Sequence, residues 1–338
     1  MFFRKLVSRN TSNDSTDTRN QNNNNQTTNP ETPRTDFIKL SNICLNNQKD
    51  IEAYMKDINW VNYVGQGTYG QVWKVEKEDE IFAIKFMNTR KMSQDDKYLL
   101  RNEIAIWSTL KHPNVLTLQG IVHHDTTIYM ITELMHESLY DRHVRFVRLG
   151  TKPRITTILK LLIEVTKAMV YLHDLDVLHR DIKSSNVLIK EDNIIKVADF
   201  GLSRYFSNNP MTAETGSYRW MAPEVIRHEN YNHKCDVYSF AMLMYETVTL
   251  CVPFEKKSPI EVAFAVAKSQ TRPNLPPLPE DITNLLQVCW DQDPQKRPEF
   301  SEIQSILCNI QKKKESYGSL QMMQREMSEG NFEKYVRE

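Results

Sequence analysis

Apolar positions along the chain follow two rhythms. Over 60–132 they come in short runs, 60–64, 72–75, 81–86, 115–118 and 128–132, parted by charged and turn-forming residues. That is the pattern of strands. One stretch, 97–110, instead carries Leu100, Ile104, Trp107 and Leu110 at helical spacing and is closed by His112-Pro113-Asn114. After Leu134 the period lengthens. The segment 155–172 presents Ile158, Leu161, Leu162, Val165, Ala168, Met169 and Leu172, a stripe wide enough for a buried helix face. Helical patterns recur over 236–249, 259–268, 281–290 and 300–312. The two rhythms predict an α+β architecture in two lobes. A small β-rich N-lobe with one long helix covers 59–132, a hinge 133–138, and a larger, mainly helical C-lobe 139–312.

The flanks lack these rhythms. Residues 8–36 are rich in Asn, Thr, Ser, Asp and Gln with almost no apolar side chains, too poor in apolar surface to offset chain entropy, and 1–36 reads as a disordered tail. Residues 37–58 form an N-terminal extension. Residues 313–338 form a polar C-terminal tail that reads as frayed.

Composition narrows the function classes. The chain has 338 residues, 43 basic and 43 acidic, and no formal net charge. That argues against nucleic acid or an anionic membrane as a partner. Its five cysteines (44, 235, 251, 289 and 308) are widely spaced and form no CxxC pair, which argues against a disulfide framework or zinc site and fits reduced thiols in the cytoplasm. The most apolar stretch, 239–254, is interrupted by Glu246 and too short to span a bilayer. The start, MFFRKLVSR, lacks a signal-peptide h-region, and Phe2 stands where myristoylation needs glycine. Only nine glycines occur, where average usage near 7% would give about two dozen, so each is worth locating.

Three of them lie in Gly65-Gln66-Gly67-Thr68-Tyr69-Gly70-Gln71-Val72, between two predicted strands. Glycines let backbone amides approach an anion without Cβ obstruction. A dinucleotide fold would need a helix after them; the following strand favours a hairpin flap over a nucleotide. In the next strand Lys85 shares a face with Ala83, and a lysine facing inward needs a carboxylate, which the helix 97–110 offers as Glu103. Further on, His179-Arg180-Asp181-Ile182-Lys183-Ser184-Ser185-Asn186 sets Asp, Lys and Asn at fixed offsets, and Asp199-Phe200-Gly201 begins thirteen residues after Asn186 across a strand-like pair, 187–189 and 194–197. A hairpin there brings Asn186 and Asp199 together as hard oxygen ligands for Mg²⁺. Asp181 then remains to accept a proton from an attacking hydroxyl.

The set GxGxxGxV, AxK, HRDxKxxN, DFG and Ala222-Pro223-Glu224 resembles the protein-kinase signature over about residues 60–310. The string GSYRWMAPEV, with HRDIKSSN and Asp236-Val237-Tyr238-Ser239-Phe240, resembles the tyrosine-kinase-like group, which includes Raf-like and mixed-lineage serine/threonine kinases. The resemblance implies the bilobal protein-kinase fold, ATP and Mg²⁺ as cofactors with Mn²⁺ as a substitute, and protein substrates. For the ATP site it implies Val64, Gly65, Gly67, Gly70, Val72, Ala83, Lys85, Thr132 as gatekeeper, Glu133 and Met135 of the hinge, and Leu188. It makes Asp181 the base, with Lys183, Lys85 and Glu103 assisting, and gives the metal to Asn186 and Asp199. It stacks Trp107, Leu118, His179 and Phe200, pairs Glu224 with Arg297, and anchors the catalytic loop on Asp236. Arg180 is expected to meet a phosphate on the activation segment, with Ser207, Thr212 and Thr215 as candidate phosphosites, self-modified or modified by an upstream kinase.

Departures from the pattern matter too. Trp107 is bulkier than the aliphatic residue usual there. Met135-His136-Glu137-Ser138-Leu139 lacks the common glycine, leaving Ser138 and Asp141 as candidates for the ribose contact. Lys183 favours Ser/Thr specificity, with dual specificity as the alternative. A pseudokinase scaffold is disfavoured by the intact catalytic set, and a small-molecule kinase by the Ala-Pro-Glu segment.

Overall fold

Strand register and helix capping build both lobes. The computed structural model describes residues 43–45, 58–66, 70–124, 126–200, 203–205 and 218–328, all within the unit Ile38–Glu338. The expected tail 1–36, most of the extension 37–58, Gly67, Gly201, Ser217 and the candidate phosphosites Ser207, Thr212 and Thr215 lie outside the described residues, as does 329–338.

The N-lobe sheet contains β1 (Ile43–Leu45), β2 (Asn59–Gln66), β3 (Gln71–Lys77), β4 (Glu80–Asn88), β5 (Leu118–His124) and β6 (Thr127–Glu133). Their order is β1-β5-β6-β4-β3-β2. Only β1 runs parallel to its neighbour, with Ile43 opposite Gly120, and it adds a sixth strand from the extension. Residues Val75, Phe82, Ile84, Val122 and Ile131 form one buried cluster with Ile58. The helix α1 (Gln94–Thr109) begins three residues before the expected 97, because Ser93 and Asp96 cap each other reciprocally. Its buried positions are Leu100, Glu103, Ile106 and Trp107.

The expected strand 115–118 is displaced. Strand β5 starts at Leu118, and its burial alternates through Gly120 and Val122. Residues 114–116 pair elsewhere: the Leu116 amide donates to the Val197 carbonyl and the Val197 amide to the Asn114 carbonyl, at 2.9 and 2.8 Å. The stretch after α1 is thus stitched to the C-lobe instead of the sheet.

The C-lobe begins with the short β7 (Glu137–Ser138) and α2 (Leu139–Arg148), a helix the apolar pattern did not predict. Ser138 and Asp141 form its capping box, and Gly150, at φ +63°, turns the chain out of it. Then come α3 (Ile155–Asp174), β8 (Val177–Leu178), β9 (Val187–Ile189), β10 (Ile195–Val197), β11 (Arg204–Tyr205), α4 (Pro223–Ile226), α5 (Lys234–Thr249), α6 (Pro259–Ala267), α7 (Glu280–Cys289) and α8 (Phe300–Ser328). Every residue of α5 from Lys234 to Thr247 is buried, so it is a core helix on all sides. Helix α8 runs sixteen residues past 312, where a frayed tail was expected. Among the described residues no helix is long and apolar enough to cross a membrane.

His143 of α2 is buried on the face toward the core. Burial, reinforced by Arg142, pushes its pKa down to about 4. The unfolded chain therefore binds this proton more readily than the folded one, so stability falls as pH drops from about 6.5 towards 4, by about 3 kcal/mol in all. Replacing His143 by Leu removes that dependence. Urea unfolding should show the advantage of His143→Leu over wild type growing by about 2 kcal/mol between pH 7.5 and pH 5.

Candidate active site

Sheet register gathers the N-lobe residues. Val72 pairs with Lys85 and Lys85 with Met130, while Ala83 pairs with Thr132. Directly opposed residues share a face, as do alternate residues of one strand. Val72, Ala83, Lys85 and Thr132 therefore line one surface. A Cβ on Gly70 would land on the Phe86 carbonyl oxygen, so that glycine is required by strand packing as well as by any ligand. A Cβ on Gly65 would enter open space, where phosphates have room. Val64 is half-exposed beside it.

Lys85 lies between two carboxylates, 3.6 Å from Glu103 Oε1 and 3.9 Å from Asp199 Oδ1. These are ion-pair rather than hydrogen-bond distances, an arrangement an incoming polyphosphate can take over. Burial pushes the Glu103 carboxyl up, and Lys85 pulls it back.

The catalytic loop is held from beneath. Asp236 of α5, fully buried, accepts from the backbone amides of His179 (2.9 Å) and Arg180 (2.8 Å) and lies 3.0 Å from His173 Nε2. Burial alone would raise its pKa, yet these donors hold it below the usual carboxylate range. His179 is buried, and burial lowers its pKa. As a neutral ring protonated at Nε2 it satisfies both contacts, donating to the Ala198 carbonyl at 3.1 Å and accepting from the Asp181 amide at 3.3 Å on Nδ1.

That anchorage aims the reacting groups. Asp181 Oδ2 receives Lys183 Nζ at 2.5 Å and Asn186 Nδ2 at 2.8 Å, and Asn186 Nδ2 also reaches the Asp181 carbonyl. Antiparallel pairing of β9 and β10, closed by the Ala198 amide on the Asn186 carbonyl, sets Asn186 and Asp199 on adjoining chain ends, as expected. With its amide nitrogen engaged, Asn186 has Oδ1 to offer a cation, and Asp199 offers a carboxylate. Two hard oxygens plus phosphate and water suit Mg²⁺. Arg180 and Asp199 both adopt left-handed φ, +68° and +67°. For non-glycine residues this costs about 1–3 kcal/mol each and concentrates at active sites.

Of the expected apolar column, Trp107, Phe200 and His179 pack ring against ring. Phe200, fully buried, has its ring 6.0 Å from Trp107 and 5.2 Å from His179, with Leu118 also buried. The bulk of Trp107 is accommodated by a hydrogen bond from its indole N–H to the Leu116 carbonyl, 2.6 Å, and the Lys85–Glu103 contact is still made.

Several expectations are refined. The Glu133 carboxylate is held by Lys196 (2.9 Å) and Lys190 (3.2 Å), so what Glu133 can offer a nucleotide is its main chain. Ser138 and Asp141, the ribose candidates, bond each other through a 2.6 Å contact in the α2 cap. Met135 and Leu188 are partly buried against the core. Glu224 and Arg297 form a buried bidentate pair at 2.6 and 2.9 Å. Sequence reasoning missed Lys196 and His173, which carry no motif, and gave Glu246 no role beyond interrupting an apolar run.

Comparison with known proteins follows the same lines. The protein kinase domain matches residues 58–307. The serine/threonine-protein kinase STY17 of Arabidopsis thaliana is 35% identical over 262 residues, 76% of this chain and 45% of that protein. A probable serine/threonine-protein kinase of Dictyostelium discoideum is 36% identical over 269 residues, 77% of this chain and 29% of its own length. The serine/threonine/tyrosine-protein kinase HT1 of Arabidopsis thaliana is 32% identical over 255 residues, 73% of this chain and 64% of that protein. The chain thus spans less than half of STY17 and under a third of the Dictyostelium relative.

Replacing Trp107 by the smaller Leu should leave the Leu116 carbonyl unpaired and open space beside Phe200. The expected loss is about 3 kcal/mol, read as a lower denaturation midpoint with unchanged slope.

Proposed function

The chain belongs to the protein kinase family, and from that premise we propose that it transfers the γ-phosphate of ATP to serine and threonine hydroxyls of protein substrates. The observation that carries the reading is the joint geometry of Lys85 between Glu103 and Asp199, and of Asp181 held by Lys183 and Asn186. Phosphoryl transfer asks for positioning and charge stabilisation more than covalent chemistry.

Lys85 takes the α- and β-phosphates, with Glu103 fixing its direction. The adenine lies against Val72 and Ala83 near Thr132 and the hinge. Asn186 and Asp199 would hold Mg²⁺, or Mn²⁺ in its stead, which when bound supplies neutralising charge to the phosphate oxygens. The substrate hydroxyl oxygen bonds the γ-phosphorus as the bond to the bridging oxygen breaks. Asp181 accepts the hydroxyl proton, and Lys183 meets the charge on the transferred group. Arg180 receives a phosphate on the activation segment at Ser207, Thr212 or Thr215, placed by the chain itself or by an upstream kinase. The proposed compartment is the cytoplasm, supported by the scattered cysteines.

Dual specificity is the second reading, favoured by the printed name of HT1. Lys183 favours the first.

Purified protein with labelled ATP, Mg²⁺ and mixed protein substrate should incorporate phosphate. Lys85→Met and Asp199→Asn should abolish incorporation, and Asp181→Asn should lower it about 10²–10⁴-fold. Equal incorporation by wild type and Asp199→Asn sinks the mechanism. Phosphotyrosine alongside phosphoserine and phosphothreonine in the product selects the second reading.

A further inference from the structure

Glu246 sits near the end of α5, is 1% exposed, and breaks an otherwise apolar run. Three donors converge on it. The Ser184 amide reaches Oε2 at 3.1 Å, the Ser184 hydroxyl reaches Oε1 at 2.7 Å, and the Trp220 indole N–H reaches Oε2 at 2.8 Å. Ser184 directly follows Lys183 in the catalytic loop, and Trp220 lies two residues before Ala222-Pro223-Glu224. One buried carboxylate therefore joins the loop that carries Asp181, Lys183 and Asn186 to the segment entering α4. That segment is fastened on its other side, through the Ser239 hydroxyl on the Trp220 carbonyl (2.8 Å) and through Arg219 on the carbonyls of Pro253, Phe254 and Lys257.

The donor set is matched to one protonation state. Two of the donors are N–H groups, which cannot become acceptors; the hydroxyl can reverse. An ionised Glu246 satisfies all three, and a protonated one keeps them only by turning the Ser184 hydroxyl around. Resting on the phosphotransfer reading above, we propose that Glu246 is a positioning residue for the reaction. In its ionised form it couples Ser184 and Trp220, holding the catalytic loop in register with the segment before α4, and protonation loosens that coupling.

Burial pushes the Glu246 pKa up to about 7, while Ser184, Trp220 and the nearby Lys183 pull against that rise. Lys183 in turn contacts Asp181, so the charge on Glu246 is felt by a direct partner of the proposed base. The sign follows from the raised value. The folded state favours the protonated form, so the contribution of this group to stability is complete below about pH 4.5 and is lost as pH rises through 7. Ionisation thus costs stability while setting geometry, the exchange expected of a functional group.

The test compares pH profiles of kcat for the full chain with ATP, Mg²⁺ and one protein substrate. Wild type should show a limb near pH 7 with kcat rising toward alkaline pH. Glu246→Gln, which keeps an acceptor and carries no charge, should lose that limb. At pH 8 its kcat should fall about tenfold, with KM for ATP within twofold and a denaturation midpoint no lower than wild type. Ser184→Ala removes one donor to the ionised form, so the limb should move to higher pH, a response that mere packing does not produce. If Glu246→Gln retains the kcat and pH profile of wild type, or the limb stays in place in Ser184→Ala, the proposal is overturned with phosphotransfer intact. A wild type that transfers no phosphate overturns the phosphotransfer reading and this proposal with it.

Discussion

The catalytic loop cannot take its shape without Asp236. A left-handed φ of +68° at Arg180 is unfavourable for a residue with a Cβ, and the loop persists because two backbone amides and a histidine are held by one carboxylate that water cannot reach. Hydrogen bonds to a charged group contribute about 1.5–3 kcal/mol each, enough together to outweigh the strain at Arg180. The consequences run outward. The fixed His179 backbone places its ring, the ring takes the Ala198 carbonyl and one side of Phe200, and Phe200 takes Trp107. Helix α1, and with it Glu103, is thereby connected to α5 through packed rings instead of through the hinge.

Helix α5 bears this load because it is enclosed. Its buried polar residues are turned to tasks within the core, although the Tyr238 hydroxyl has no hydrogen-bond partner among the described residues. Asp236 takes the catalytic loop, Ser239 and Glu246 take Trp220, and Lys234 takes the Arg297 carbonyl at 2.6 Å. Arg297 closes the set with Glu224 in a fork geometry and with the Lys234 carbonyl. Removing one member of a buried charge pair strands the other, at a cost of about 3–5 kcal/mol. The C-lobe is thus specified by polar groups within its core as much as by apolar packing, and the reacting residues inherit that specification through the loop.

How much of this was legible in the sequence depended on what kind of signal each part carries. Long apolar periods located α3, α5 and α7 to within two residues at either end, because burial of a stripe leaves a pattern. Motif spacing singled out Lys85, Asp181, Asn186 and Asp199, and the need of an inward lysine for a carboxylate singled out Glu103; the structure brings Lys85 beside both Glu103 and Asp199. Helix α2 escaped because Asp141, Arg142, Arg145 and Arg148 interrupt the apolar residues of Leu139–Arg148; its readable mark was the Ser138–Asp141 cap. Strand β5 was displaced because Gln119, His123 and His124 masked the alternation of Leu118, Gly120 and Val122. The contacts of Glu246 and Lys196 were invisible, since a single charge in an apolar run says only that a partner exists. Pairings across 62 or 63 residues, such as Ser184 with Glu246, come from tertiary structure alone.

The same residues bear on how a chain with no net charge would handle the polyphosphate of the proposed reaction. Around the reacting centre Glu103, Asp181 and Asp199 face Lys85 and Lys183, which leaves one negative charge in excess. By itself such a site repels ATP. The excess lies on Asp199, whose carboxylate is 29% exposed and is the farther of the two partners of Lys85. In the proposed reaction Asp199 and the amide oxygen of Asn186 would hold a divalent cation, whose charge would reverse that local sign. Lys85 would then turn toward the phosphates, while Glu103, buried and raised in pKa, would keep it aligned. On the proposed reading, charge balance within the cleft, and not over the whole surface, would select the nucleotide together with its metal.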